Sequence, residues 1–443
     1  MKAGVGGPAG TPRRSAVLRA LRHRNYRLFF AGQSLSLVGT WITRVATSWL
    51  VWRLTGSAVM LGVVGFVGQV PIFLLGAFAG VWVDRLDRYR VLLSAQVLAM
   101  VQSFILAGLA LTGVIQVWHI LVLQALQGCI NAFDTPARQA FLIDMIEEKA
   151  DLSNAIALNS SMVNGARLVG PSIAGLVIAW VGEGWCFLAD GLSYVAVIAS
   201  LLAMHVSHRP RLDTGKKVLQ DLADGLRYAF GFPPIRATLL LMALISVVGL
   251  PHTVLLPVIA ERTLHGGAHT LGFLMGASGM GALLGALYLA SRTSVVGLGR
   301  LIPLASATFG LGLVAFGFST WLPLSLLLMV ATGSGFMIQM ASSNTIIQTL
   351  VREEMRGRVM ALYAMAFIGM APFGSLLAGV IASRVGAPAT VAGGGALCVL
   401  GALTFRSKLP ALREHIIPIY VERGILPEVA RGLGDATSLR EEI

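Results

Sequence analysis

The run Gly80-Val81-Trp82-Val83-Asp84-Arg85-Leu86-Asp87-Arg88-Tyr89-Arg90 decides the fold. It sets two carboxylates among three arginines, between the long apolar stretches 58–83 and 91–112. About 20 apolar residues cross the hydrocarbon core of a bilayer. Each flank therefore reads as a membrane span, and the charged run as the short turn joining them. A carboxylate beside guanidinium groups at a membrane surface forms a charge-assisted latch. Gly80 carries no side chain and allows two helices to approach closely. The plainer reading of the same residues is a basic loop that only sets orientation.

Composition extends that reading to the whole chain. Of 443 residues, 56% are hydrophobic and 12% charged, and the mean hydropathy is +0.76. Soluble domains average about 45–50% apolar and about 25% charged residues. A soluble domain, a disordered chain, a collagen and a coiled coil are excluded together. The 51 glycines suit close helix packing in lipid. Cys129, Cys186 and Cys398 lie in apolar runs at no metal-like spacing, so neither a disulfide framework nor a zinc site is expected. The apolar runs are continuous rather than alternating, which argues against a β-barrel.

Twelve apolar stretches fall between residues 28 and 406, predicting an all-α membrane protein with twelve transmembrane helices in two six-helix bundles. The expected organisation is a cytoplasmic N-terminal segment over 1–27, a first bundle over 28–205, a cytoplasmic linker over 206–235, a second bundle over 236–406 and a cytoplasmic tail over 407–443. In the linker, Leu219, Leu222, Ala223, Leu226 and Phe230 recur at helical spacing, predicting an amphipathic helix on the membrane surface, closed by Pro233-Pro234. The tail, with a weakly amphipathic stretch at 412–421, is expected to be peripheral or partly disordered. With the N-terminus inside, 29 of the 34 lysines and arginines fall in inner segments, and only Arg53, Arg262 and Arg384 in outer loops. Both termini are therefore expected in the cytoplasm. The same fringe of cations accounts for the net charge of +13, matched to anionic lipid rather than nucleic acid. Residues 1–27 hold no apolar core, so a cleavable signal peptide is not expected.

The loop at 80–90 resembles the signature loop of the major facilitator superfamily, G-x-x-x-D-[RK]-x-G-[RK]-[RK]. Gly80, Asp84, Arg85, Arg88 and Arg90 match, and Asp87 stands in place of the second glycine. Further segments resemble one branch, the transmembrane secretion effectors, which holds enterobactin exporters and macrolide efflux proteins. They are Asn25-Tyr26-Arg27, Gly39-Thr40-Trp41, Trp49-Leu50-Val51, Pro136-Ala137-Arg138-Gln139 and Met355-Arg356-Gly357-Arg358-Val359-Met360. Together they span most of residues 20–406. In span 5, Gly165, Gly170, Pro171 and Gly175 resemble the glycine-proline motif of superfamily antiporters, with Ala174-Gly175 replacing its final glycine pair. Pro171 bends the helix; the competing reading of this motif is ordinary small-residue packing. The resemblance implies small-molecule export driven by the proton gradient. The corresponding loop of the second half, Gly285 to Arg292, lacks an acidic residue, so a symmetrical latch is not expected.

Charges inside the membrane are costly and mark function. Gln124, Gln127, Asn131, Asp134 and Arg138 recur at spacings that put all five on one face of span 4. Gln33, Ser36, Thr40, Arg44 and Thr47 do the same in span 1, and Ser160, Asn164, Arg167 and Pro171 in span 5. Gln339 and Ser343 in span 10, with Tyr363 and Phe367 in span 11, give the second half a gentler polar and aromatic wall. A cavity with one charged wall and one aromatic wall suits an amphiphilic substrate. Depth from the span ends predicts two ion pairs, Arg44–Asp190 and Arg167–Asp134, with Asp134 carrying the proton. The plainer reading is that these pairs hold the first bundle together. His252 and His119 read as interfacial residues, and His265 with His269 lacks a third metal ligand.

The expected activity is secondary active export of amphiphilic small molecules by proton antiport and alternating access, at the cytoplasmic membrane and as a monomer. No metal or cofactor is expected. The alternative of the same architecture is a proton-coupled uptake symporter. A remote alternative is an intramembrane serine protease, suggested by Gly276-Ala277-Ser278-Gly279. A serine nucleophile needs a nearby base, and the one histidine after Ser278 is His415, in the polar tail.

Overall fold

The computed structural model of the chain describes residues 18–204, 218–292 and 294–425, without the side chains of Ala77, Val81, Asp84, Lys149, Val218, Leu219, Asp221 and Leu222. The described residues are helical, joined by short turns. The first half holds α1 (Arg24–Thr55), α2 (Ala58–Arg85), α3 (Arg88–Leu111), α4 (Val117–Asp144), α5 (Leu152–Val181) and α6 (Glu183–Leu202). The linker helix is α7 (Val218–Gly231), and α8 (Pro233–Leu244) begins directly after it. The second half continues with α9 (His252–Val258), α10 (Ala268–Ala290), α11 (Leu298–Phe318) and α12 (Leu322–Leu350). It ends with α13 (Arg356–Ala364), α14 (Ala371–Val385) and α15 (Ala387–Glu422).

Ten of these stretches are long and apolar enough to cross a membrane, counting α8 with α9 and α13 with α14 as continuous runs. Helices α1 and α4 are not among the ten. They are 32 and 28 residues long and carry the richest polar stripes, which dilutes their hydropathy rather than their length. Two of the spans are broken: wide π-turns interrupt them at 245–249 and 365–369. Ser246 donates a 2.5 Å hydrogen bond to the Phe367 carbonyl, tying one wide turn to the other.

Helices α1–α6 pack on one another, as do α8–α15, and the two groups meet along α2 with α14 and along α5 with α10. Both contacts lie toward the end where α1 turns into α2, hereafter the far end. A pair of glycines sits in each. A Cβ on Gly62 would meet the Ser375 carbonyl at 2.6 Å and the Gly379 Cα at 3.2 Å. A Cβ on Gly272 would meet the Pro171 carbonyl at 2.5 Å and the Gly175 Cα at 2.8 Å. The two contacts are related by an internal repeat. Gly62 and Gly272 occupy the same place after the starts of α2 and α10, and Gly175 and Gly379 the same place before the ends of α5 and α14. Gly182 and Gly386 then follow at matching positions, both at φ 88°, a left-handed conformation that glycine adopts without strain.

Toward the opposite, near end the two halves separate. Gly80 lies about five turns beyond Gly62 on the same face of α2, yet a Cβ there would meet nothing within 4 Å; Gly76 and Gly165 are equally open. The linker helix α7 docks mainly on the second half, with a lighter contact to α2 of the first. Arg358 lies 3.5 Å from Asp224, and Gly225 abuts the Arg358 side chain.

The tail differs from expectation. Beyond residue 406 the chain continues α15 as one helix to Glu422, passing through Pro410 and Pro418. Leu409, Leu412, Ile416 and Tyr420 bury one face of it in the core, and Arg423 donates to the Val351 carbonyl at 2.9 Å. That apolar face, more than the polar composition of the segment, decides where it lies. Residues 426–443 lie outside the described residues. At the near end of the first half, the turn Arg19–Arg22 clamps onto Asp151, which also bonds His23 at 3.0 Å. Burial opposes ionisation of Asp151, but the His23 hydrogen bond and the Arg19 and Arg22 guanidiniums outweigh it and hold the carboxyl below its usual value. The clamp is therefore intact at neutral pH and loosens only as pH falls through the depressed carboxylate range.

Candidate functional site

The signature loop is built around a helix start. Asp87 caps α3, accepting from the backbone N–H of Tyr89 at 3.0 Å and of Arg90 at 3.2 Å. The departure from the family's glycine is thus a capping residue. We expect Asp87→Ala to cost about 1 kcal/mol of stability and Asp87→Gly only a few tenths, read as thermal unfolding of the purified protein. Arg88 reaches Asp144 at the end of α4, 3.4 Å away, and Arg90 lies 3.7 Å from Asp87. Arg85 is exposed. The side chain of Asp84, expected at the centre of the latch, lies outside the described residues.

Neither predicted ion pair forms. Asp134, 3% exposed, accepts from the Gln96 side chain of α3 at 2.6 Å and pairs with Arg138 one turn along its own helix. Asp190, 2% exposed, accepts from Thr43 and Ser103, each at 2.9 Å. It thereby joins α1, α3 and α6, and no cation is bonded to it among the described residues. Gly39 makes room for that contact, since a Cβ there would meet the Asp190 carboxylate at 2.7 Å. The physical reason is azimuth. Thr43 and Arg44 stand about 100° apart around α1, and Thr43 faces Asp190, so Arg44 points elsewhere.

Arg44 turns onto Trp41, its guanidinium carbon 4.5 Å from the ring centroid. Arg167 of α5 stands over the same ring at 5.9 Å and over Phe336 of α12 at 5.9 Å. Gly170 seats α5 against Trp41; a Cβ there would lie 2.6 Å from that side chain. Phe336 continues into Phe367 and Phe309, with centroids 5.8 and 5.7 Å away. Arg44 is exposed, and Trp41 and Arg167 are half-buried. Two cations on one bundle therefore face an aromatic cluster on the other, at the level where the two halves begin to part.

The remaining stripe residues divide. Gln127 donates to Asn131 at 3.1 Å, and Gln124 lies against α2 beside Gly68. Asn164 bonds the Ser160 carbonyl on its own helix. Gln33 is buried with its carbonyl oxygen unpaired, and so is Gln339, whose amide reaches Ser343 at 3.2 Å. Tyr363 donates to the Met340 carbonyl at 2.8 Å. Gln33, Gln339 and Tyr363 are buried and fix helix register, while Gln124, Gln127, Asn131 and Asn164 are half-buried. His252 bonds the Gly249 carbonyl at 2.7 Å, His119 caps α4, and Ser278 packs against Gly333. Among the described residues no cluster could hold a metal ion. A groove of about 710 Å³ opens between α3 and α4, lined by Asp87, Arg90, Ser94, Leu98, Cys129 and Phe133 among others, and Arg44, Arg167 and Asp134 are outside it.

Sequence reasoning missed Gln96, Ser103 and Thr43 as partners and Phe336 as the facing wall. Gln96, Gln102 and Ser103 were visible as polar breaks in an apolar span. Phe336 carried no such signal, since an aromatic residue in a membrane helix is ordinary.

A family model described as the transmembrane secretion effector matches residues 15–425. The staphyloferrin A transporter of Staphylococcus aureus is 28% identical over 365 residues, covering 81% of this chain and 90% of that one. The multidrug efflux pump Tap of Mycolicibacterium fortuitum is 29% identical over 362 residues, covering 80% and 88%. Among solved structures, the POT family transporter PepTSo superposes with a TM-score of 0.69 at 13% identity, over 88% of this chain and 99% of that one, a likeness of fold alone.

Proposed function

Because the chain belongs to the transmembrane secretion effector family, a branch of the major facilitator superfamily, we propose that it exports amphiphilic small molecules across the cytoplasmic membrane by proton antiport and alternating access. Its relatives support a transporter that exports small molecules and not an enzyme. The observation that carries the mechanism is the asymmetry between the two ends. The halves are sealed by paired glycines at the far end and parted at the near end. With the cationic fringe inside, the near end is cytoplasmic, so this is the state that loads from the cell interior. All twelve stretches, α1 and α4 included, cross the membrane in this reading, and a monomer carries the complete path.

The chemistry follows from where the charges lie. Arg44, Arg167 and Trp41 meet Phe336 across the parting between bundles, so a bound molecule touches both and biases their rocking. Asp134 couples the cycle: a proton on its carboxyl releases Arg138, and loss of the proton restores the pair. Gly80 and the Asp84, Arg85, Arg88 and Arg90 loop hold the near end when it closes.

The test uses inside-out vesicles carrying the protein and a fluorescent reporter of the pH gradient, with macrolides, fluoroquinolones, dyes and catecholate siderophores added singly. We expect at least one compound to dissipate the gradient only when the protein is present. A response confined to right-side-out vesicles would replace export by uptake. Transport of the responding compound without any proton movement would remove antiport.

A further inference from the structure

Arg53, Arg88, Arg138 and Arg358 each have a carboxylate within reach. Arg44 and Arg167 stand deeper along their helices, and among the described residues neither has an acidic partner or a hydrogen-bond acceptor. What they share is one face-on aromatic ring. A cation–π contact attracts a guanidinium without neutralising it, so two positive charges gathered on Trp41 still repel. Each also keeps its fork of N–H donors unused, and that fork matches the planar oxygens of a carboxylate. Uncompensated charge at this depth is costly unless a partner arrives. The surroundings restrict that partner further: Arg167 stands within 5.9 Å of both the Trp41 and the Phe336 rings, so aromatic surface from each half flanks the cations.

We propose that Arg44 and Arg167 are an anion seat: the exported molecule carries an acidic group that docks between the two guanidiniums, with a flat apolar part against Trp41 and Phe336. This rests on the reading of the parting between bundles as the transport path, and it narrows the amphiphile to an anionic one. The anion also ties the halves together, because Arg167 touches both Trp41 of the first and Phe336 of the second.

Three probes of one shape test it: 2-naphthoate, 2-naphthamide and 2-naphthylmethylammonium, bound at equilibrium to the purified protein in phosphatidylcholine nanodiscs. The carboxylate is expected to bind about tenfold or more tighter than the amide, as a charge-assisted bidentate pair does over a neutral one. The ammonium is expected to bind weakest. Arg44→Gln and Arg167→Gln should each erase most of that preference, and Arg44→Lys should keep part of it. Equal binding of carboxylate and amide, preference for the ammonium, or no carboxylate binding into the millimolar range would each overturn the proposal.

A lipid phosphate has the same chemistry, so phosphatidylglycerol replaces phosphatidylcholine in a second set of discs. Loss of naphthoate binding there would make the seat a lipid site and overturn the substrate assignment. A readout free of any ligand guards against misfolded variants. Thr40→Cys in a Cys129→Ser background should react several-fold faster with an anionic than with a cationic methanethiosulfonate, and the ratio should fall toward one in Arg44→Gln. Equal rates would overturn the seat. Proton-coupled efflux of a cationic drug without anion binding would sink the seat and leave the transporter. Anion binding without any proton-coupled efflux would do the reverse.

Discussion

Gly62→Leu is expected to reduce transport by at least an order of magnitude and to leave the protein unable to close its far end. The Cβ alone would sit 2.6 Å from a backbone carbonyl of α14, and helix backbone has no flexible end that can yield. The remaining leucine atoms must be accommodated by pushing α2 and α14 apart, where close approach of small residues is the packing force. Gly272→Leu should act identically through α5, since the internal repeat makes it the equivalent residue of the other seam. Gly80→Leu should do the opposite. It meets open space in this state, so stability and folding stay near those of the parent, while closure at the near end is blocked. Spin labels report the difference directly. A pair at Leu54 and Val385 should show the far end opened by Gly62→Leu, and a pair at Leu86 and Glu354 should show the near end held open by Gly80→Leu. Parental transport rates in Gly62→Leu would refute the seam as a gate. Unaltered label distances in both variants would refute the rocking it implies.

How much of this was legible in the sequence depends on which physical demand each feature answers to. The bilayer requires long apolar runs, so ten of the twelve expected spans stand out by length and composition alone. The wide turns at 245–249 and 365–369 could not be read, because Gly249 and Gly369 look like any packing glycine in an apolar run. The paired seams were hidden for the same reason among 51 glycines; their register emerges only when the two halves are aligned by helix starts and ends. The ion pairs were misassigned because distance from a span end fixes height and not azimuth. Asp134 needed no cation from another span, having Arg138 one turn away in its own stripe. Asp87 reads as a broken motif in sequence and as a helix cap in the fold.

Asp134→Asn should abolish proton-driven export while leaving substrate exchange in place. The carboxylate holds the Gln96 amide at 2.6 Å and the Arg138 guanidinium together between α3 and α4. An asparagine keeps one acceptor but neither the charge nor the proton, so Arg138 is left without its counterion. Unpairing a buried ion costs about 3–5 kcal/mol, enough to lower expression on its own. The double variant Asp134→Asn/Arg138→Gln removes both charges and should recover the folded yield. Counterflow without a gradient is then expected within about threefold of the parent, since the rocking bundles and the Arg44–Arg167 wall are untouched. Dissipation of the pH gradient by substrate should fall by an order of magnitude or more. Asp190→Asn is the control inside the same bundle. Its carboxylate is held by the hydroxyls of Thr43 and Ser103 and no cation, so its replacement strands no charge and should leave coupling largely in place. Full coupling in the double variant would clear Asp134 of any role in proton transfer, and loss of coupling in Asp190→Asn alone would transfer the role to α6.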